Sequence, residues 1–329
     1  MEDLSKIYYQ EEIPYSTLIQ ANSLVRLQNV GMNCGLEYTS YPLFTTILPY
    51  SRFQHSLGVS LIIYHFTHDL SQSLAGLFHD IATPAFAHVI DFLHHDYLTQ
   101  ESTEENTKAI IQSDPMILSF LNDHKITIEE VCDYHLYPIA DNDAPKLSAD
   151  RLEYTLGNLV NYGFGSKEDV ERIYQDLIVG ENEFHEDEIM FTHPKIAYQF
   201  ALLSLQCSKV YVADNDRYSM EYLARLIKEA IELEVLDEKD LYTIEPVVIQ
   251  KIMSHPVLKE KWAYFQKLNS IRISNDPKED YYCINAKKRY IDPYIYGLGR
   301  VSKIYPEYKI QMKKFLDISF DYYIKGMIK

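Results

Sequence analysis

Two stretches constrain this chain most. Residues 56 to 64 (SLGVSLIIY) and 70 to 78 (LSQSLAGLF) are rich in Leu and Ile, with polar residues too few and too irregular for a strand. Both read as buried helices, and His and Asp side chains stand at their ends. Further helical patterns cover 103 to 122, 150 to 161, 167 to 178, 196 to 213, 217 to 234 and 307 to 325, several opening on acidic or small residues. So many helices with few strand-like runs predict an all-α architecture. Between about 276 and 300 the text becomes KEDYYCINAKKRYIDPYIYGLG, where aromatic residues, Pro293 and two glycines predict short extended segments joined by turns. The expected organisation is a helical domain over 1–275 and a small C-terminal appendage over 276–329 that ends in a helix. ENEFHEDE at 181 to 188 reads as a solvated loop.

At 329 residues the chain can bury a sizeable core. A net charge of -17 disfavours an extended nucleic-acid surface, which needs clustered Lys and Arg. A small anionic substrate is compatible with it, because a local cationic pocket or a metal ion overrules the global field. The four cysteines lack CxxC spacing, and no apolar run of membrane-spanning length occurs, so a cytoplasmic protein with no membrane partner is expected. Its 28 tyrosines make the segment 281 to 296 a candidate pocket cover or homo-oligomer contact, with ordinary packing an equal alternative.

The dipeptide His-Asp occurs at 68–69, 79–80 and 95–96. Context separates the second: LAGLFHDIATPAFAH sets His79 and Asp80 after an apolar helix, followed by a proline and small residues that allow close backbone approach. An imidazole and a carboxylate at one helix end, completed by His55 and Asp150 at the starts of two other helices, would give a mixed nitrogen and oxygen shell. That shell suits a divalent ion: Fe, Mn, Mg, Zn or Ni.

YSRFQHSLGV, AGLFHDIATPAFAHVID and SADRLEY resemble the three signature segments of the HD-domain superfamily. The likeness runs from about residue 14 to 220 and is nearest to the deoxynucleoside triphosphate triphosphohydrolases, including the SAM-and-HD-domain enzyme and bacterial dGTPase-like proteins. It implies an HD helical bundle with His55, His79, Asp80 and Asp150 as metal ligands. It also implies Arg52 and Arg151 beside the substrate phosphates, Tyr154 near the sugar, and His88 with Asp91 as a catalytic pair in which His88 serves the leaving group. Several positions depart from the family. HDIATPAFAH has Thr83 where a histidine is usual, and Gln100-Glu101 replaces a His-Glu pair, leaving Glu101 to orient a water. Met32-Asn33 and Asn158 stand where the family inspects the sugar. His94 and His95 are candidates to substitute or to hold a second metal.

The reading is a metal-dependent hydrolase of phosphoric esters or anhydrides acting on a nucleotide, dNTP-like, or another small phosphate. Asp80 would orient the water and His88 would act as general acid. A catalytically weak nucleotide-binding module and a di-iron oxygenase are the alternatives. His65, His68, His124, His135, His193, Arg217 and Tyr218 carry no motif and read as satisfied residues.

Overall fold

The computed structural model describes residues 3–90 and 106–329. The first long helix, α1, spans Arg52–Thr67, and Ser51 starts it through a capping box: its hydroxyl accepts from Gln54 N–H while the Gln54 side chain accepts from Ser51 N–H. His68 ends it in the left-handed region at φ 50°. Asp69 then caps α2, Leu70–Phe78. The two helices approach closely because a Cβ at Gly76 would lie 2.3 Å from Ile63 Cδ1. Val59, Ile62 and Ile63 of α1 belong to the main core, whereas Leu74, Leu77 and Phe78 of α2 belong to a second core with Tyr15, Leu24, Ile117 and Leu121. The ends of α1 and α2 therefore meet where the two cores abut.

The expected helix over 103 to 122 is interrupted. Thr107–Ser113 and α3, Pro115–His124, are separated at Asp114, which caps α3, with Pro115 in the first-turn position that tolerates a missing N–H. The main core is built by α4 (Ala149–Asn161), α5 (Lys167–Gln175), α6 (Pro194–Val210), α7 (Asp214–Glu232), α8 (Glu245–Ser254), α9 (Pro256–Lys267) and α10 (Pro306–Leu316). No described helix is long and apolar enough to cross a membrane. The architecture is mainly helical, with a small, partly extended C-terminal part.

Three features of the strands differ from the expectation. β1 (Leu177–Glu181) and β2 (Asp187–Phe191) form a hairpin through the acidic run. Glu188 in that run is fully buried and, with Glu183, clasps Arg300. The run is therefore not a uniformly solvated loop. The chain continues past α10 into β6 (Tyr323–Met327), so the segment does not end in a helix; β6 pairs antiparallel with β3 (Ser270–Ser274). β4 (Tyr294–Ile295) and β5 (Gly299–Arg300) complete the sheet of β1 and β2. Both sheets thus join residues on either side of the 275/276 line. Arg217, fully buried on α7, adds to this seam by donating to Asp214, to the Ile284 carbonyl and to Tyr322.

A buried acid pair supports the loop before α1. Glu245 of α8 accepts from Gly31 N–H at 2.8 Å and from the Tyr38 hydroxyl at 2.7 Å. Burial and the neighbouring Glu245 raise Glu37 to about 8. The folded state thus holds a proton that an unfolded carboxyl sheds near pH 4.5, and stability falls as pH rises through that window. Glu37→Gln is expected to flatten this fall, giving a melting temperature above that of the wild type at pH 8. Parallel melting curves for the two proteins from pH 5 to 8 would contradict a proton held on Glu37.

Candidate metal centre

Each donor sits at a helix terminus. His55 lies in the first turn of α1, His79 is the C-cap of α2, Asp80 follows it, and Asp150 lies in the first turn of α4, whose exposed N–H groups favour a carboxylate. His55 Nε2 and His79 Nε2 are 3.2 Å apart. Asp150 Oδ1 lies 3.0 Å from the former and 3.8 Å from the latter, and Asp80 Oδ2 lies 3.9 and 3.5 Å from them. Donors held about 2.1 Å from a common ion lie roughly 3.0 to 3.4 Å apart along neighbouring edges. The histidine pair falls in that range, and His55, His79 and Asp80 offer donor atoms all within 4.8 Å of one another.

The other ring nitrogens are already committed. His55 Nδ1 faces Glu153 Oε2 at 2.5 Å, and His79 Nδ1 donates to the Gly76 carbonyl at 2.7 Å. This is how ligating imidazoles are oriented, with the second nitrogen turned toward the ion. Burial opposes charge on His55, yet hydrogen bonds and charge from Asp150 and Glu153 push its pKa up to about 10. The cage demands a positive charge here, which a proton or a metal ion can supply. The residues present therefore fit a divalent cation.

Glu153, fully buried, was not singled out in the sequence. Its signal was there: it stands three residues after Asp150 on one helix, a spacing that places both on one face. It also accepts from the Tyr50 hydroxyl at 2.5 Å. Gly58 makes room for it, since a Cβ there would meet the Glu153 side chain at 2.6 Å. Glu153→Gln is expected to weaken metal affinity by about 10- to 100-fold, the usual effect of removing such a partner. Unchanged affinity in a competition assay with a metal indicator would show that Glu153 does not tune His55.

Asp80 is held from three sides. Burial would raise its pKa, but the Arg52 guanidinium, His79 and His55 hold it well below the usual carboxylate range. Arg52 Nη1 donates to Oδ2 at 2.8 Å, and Thr83 donates to Oδ1 at 2.8 Å. Thr83, the residue in place of a histidine, thus positions the carboxylate. Arg26 donates to the Ile81 and Thr83 carbonyls and fixes the turn itself.

A cavity of about 420 Å³ opens on these residues. Arg52, His88, Arg151 and Tyr154 line it, as do Met32, Asn33 and Asn158. His88 follows two residues in the left-handed region, Phe86 at φ 64° and Ala87 at φ 49°. Such conformations cost about 1 kcal/mol or more each for non-glycine residues and persist where the surroundings impose them; here Ala85 N–H donates to the Leu241 carbonyl.

Arg151 departs from expectation. Its guanidinium donates to the Lys146 carbonyl, to Asn142 through both backbone and side chain, and pairs with Asp141 at 3.0 Å. It clamps the 141 to 146 loop and has little left for a phosphate. Asp91, Glu101, His94, His95 and Gln100 lie outside the described residues. Missed by the sequence reading were His135, Asp141, Asp216, Lys287 and Arg289, all lining the cavity. None sits in a recognisable motif.

No family model matches the chain. It is 26% identical over 249 residues to the uncharacterized protein YdhJ of Bacillus subtilis, covering 75% of this chain and 74% of that one. It is 23% identical over 303 residues to the metal-dependent phosphohydrolase cns2 of Cordyceps militaris, covering 89% and 84%. Among solved structures, a hypothetical protein from Aquifex aeolicus superposes with a TM-score of 0.62 at 17% identity, covering 96% of this chain and 93% of that one. A phosphohydrolase from Bacteroides thetaiotaomicron gives 0.62 at 14% identity, covering 97% and 96%. The chain therefore shares the fold of these two proteins along nearly its whole length.

Proposed function

We propose that the protein is a divalent-metal-dependent phosphohydrolase of the HD type, with His55, His79, Asp80 and Asp150 as ligands, acting on a nucleotide-like phosphate. The observation that carries this reading is the pair of Nε2 atoms 3.2 Å apart among carboxylates, each ring anchored through its Nδ1. The fungal relative and the Bacteroides neighbour, both phosphohydrolases by name, support it.

When bound, the ion supplies Lewis-acid polarisation of a phosphoryl oxygen and a lowered water pKa. Asp80, kept ionised by Arg52, orients the attacking water, whose proton the bound ion would make easier to lose to solvent. Arg52 lends positive charge to the developing phosphoryl group. His88, on the cavity wall, donates a proton to the leaving oxygen, a role suited to an imidazole near neutral pH. The rings of Tyr154, Tyr162 and Tyr211 make an aromatic wall for a base or sugar. Asn33 and Asn158 offer amides beside it, and Asn158 Oδ1 is buried without a partner.

The test is elemental analysis of the purified protein, together with phosphate, pyrophosphate and triphosphate release from a panel of nucleotides and phosphomonoesters. Metal with release supports the reading and identifies the leaving group. Metal without release overturns the hydrolase in favour of a nucleotide-binding module, and two irons with oxygen uptake overturn it in favour of an oxygenase. Absence of metal under replete conditions removes the centre itself.

A further inference from the structure

A cavity of about 440 Å³ lies outside the metal centre, and none of its wall residues lines the cavity there. One stripe of α7 builds most of it: Tyr218, Tyr222, Arg225, Leu226 and Glu229 recur at the spacing of a single helix face. Tyr264 of α9 and Tyr282 close the sides. The rings pack on one another. Tyr218 stacks with Tyr222 and with Tyr282, at centroid distances of 6.0 and 5.8 Å, and Tyr222 lies 5.6 Å from Tyr264. β6 admits this packing through Gly326, where a Cβ would lie 2.3 Å from Tyr218 Cε1. The Tyr282 backbone is in turn tied to Ile324 of β6 by two hydrogen bonds of 2.9 Å.

Each charged side chain on this wall is paired with an opposite charge. Arg225 meets Glu221 at 2.5 Å, Lys325 meets Asp280 at 3.0 Å, and Lys261 meets Glu229. An ion of either sign entering here would find as many like charges as opposite ones. The Arg225 guanidinium also covers one face of Tyr282, 4.3 Å from its centroid, so that cation–π position is taken. What the wall offers a guest is aromatic surface and acceptors. The hydroxyls of Tyr222 and Tyr264 donate to the Lys261 and Gly326 carbonyls, which leaves a lone pair on each oxygen. We propose that this cavity is a second binding site, separate from the metal centre, for a small aromatic molecule without net charge that carries one hydrogen-bond donor, an indole or a phenol. Its volume falls in the usual small-molecule range of about 300 to 1,000 Å³. A neutral ring gains from such a wall beyond the area it buries, whereas an ion must leave water without a partner of its own.

The test is calorimetric titration of the full chain with ligands that share one ring and differ in charge: 3-methylindole, indole-3-acetate and tryptamine. 3-Methylindole is expected to bind with a Kd of about 1 mM or below, the range open to a ligand of so few atoms. The two ions are expected to bind about tenfold more weakly or worse. Tyr282→Ala, which removes a half-buried wall ring, is expected to weaken 3-methylindole about tenfold. Arg225→Gln, at an exposed position, leaves Glu221 without its cation and is expected to bring tryptamine level with 3-methylindole. Should Tyr282→Ala not fold, Arg225→Gln alone decides. No saturable binding of 3-methylindole overturns the proposal, and so does an ion that binds the wild type as tightly. Binding of all three ligands unchanged in both variants also overturns it, and would move the ligand to the tyrosines of the metal-centre cavity.

Discussion

His79→Ala is expected to lose its divalent metal on purification and to lower phosphate release by about a thousandfold, with the helical circular-dichroism spectrum retained. The size follows from losing several kcal/mol of charge stabilisation at about 1.4 kcal/mol per factor of ten. His79 is the cleaner choice than Asp80. Removing its ring leaves one helix carbonyl, that of Gly76, to find another partner. Asp80→Ala would also strand Arg52, whose side chain is 7% exposed and whose Nε has no partner of its own. A stranded buried charge costs roughly 3 to 5 kcal/mol. The two variants should therefore share the loss of metal and differ in melting temperature. Full metal occupancy in His79→Ala, measured by elemental analysis, would remove it from the ligand set.

The second large effect concerns stability. Arg300 of β5 meets Glu188 at 2.6 and 2.8 Å and Glu183 at 2.9 Å through both its Nε and Nη2. Glu188 is fully buried and also accepts from Leu147 N–H and the Asn182 amide. In Arg300→Ala this carboxylate keeps two neutral donors and loses its cation. A cost of about 3 to 5 kcal/mol is expected, read as a fall of roughly 5 to 10 °C in melting temperature. Arg300→Ala combined with Glu188→Gln should recover part of it, because the remaining amide carries no charge. A single variant that melts with the wild type would mean that the pair contributes nothing net.

The helices that hold the donors were legible because each is marked at its ends. Asp69 caps α2, Ser148 caps α4, and the apolar run between Asp69 and His79 leaves no room for another reading. The ligand candidates His55, His79, Asp80 and Asp150 could be chosen from twelve histidines and many acids because three segments appear in order with their flanking residues. The structure brings those four together. The sequence was silent where function depends on long-range packing. The hairpin of β1 and β2 passes through an acidic run whose burial depends on Arg300, more than a hundred residues later. α8 and α9 begin on Glu245-Pro246 and His255-Pro256, where the proline that could signal a break instead starts each helix. Arg151 matched a motif position and is still drawn away, because the 141 to 146 loop offers it two carbonyls and a carboxylate. Lys287 and Arg289 were hidden in a tyrosine-rich stretch that no local pattern ties to Asp150.

The pairing of β3 with β6 also bears on the order in which the protein comes together during synthesis. The cavity wall at Lys287 and Arg289 belongs to a long loop that β6 closes, by lying against Ser270–Ser274. Such a loop is entropically costly to close and gains its compensating contacts only once its far end has arrived. A nascent chain that has cleared the ribosome as far as α9 already carries all four donor residues but not that wall. Such an intermediate would hold the donor residues before the outer wall of their cavity exists. The donor cluster and the wall of its cavity would then be successive stages in the birth of the molecule.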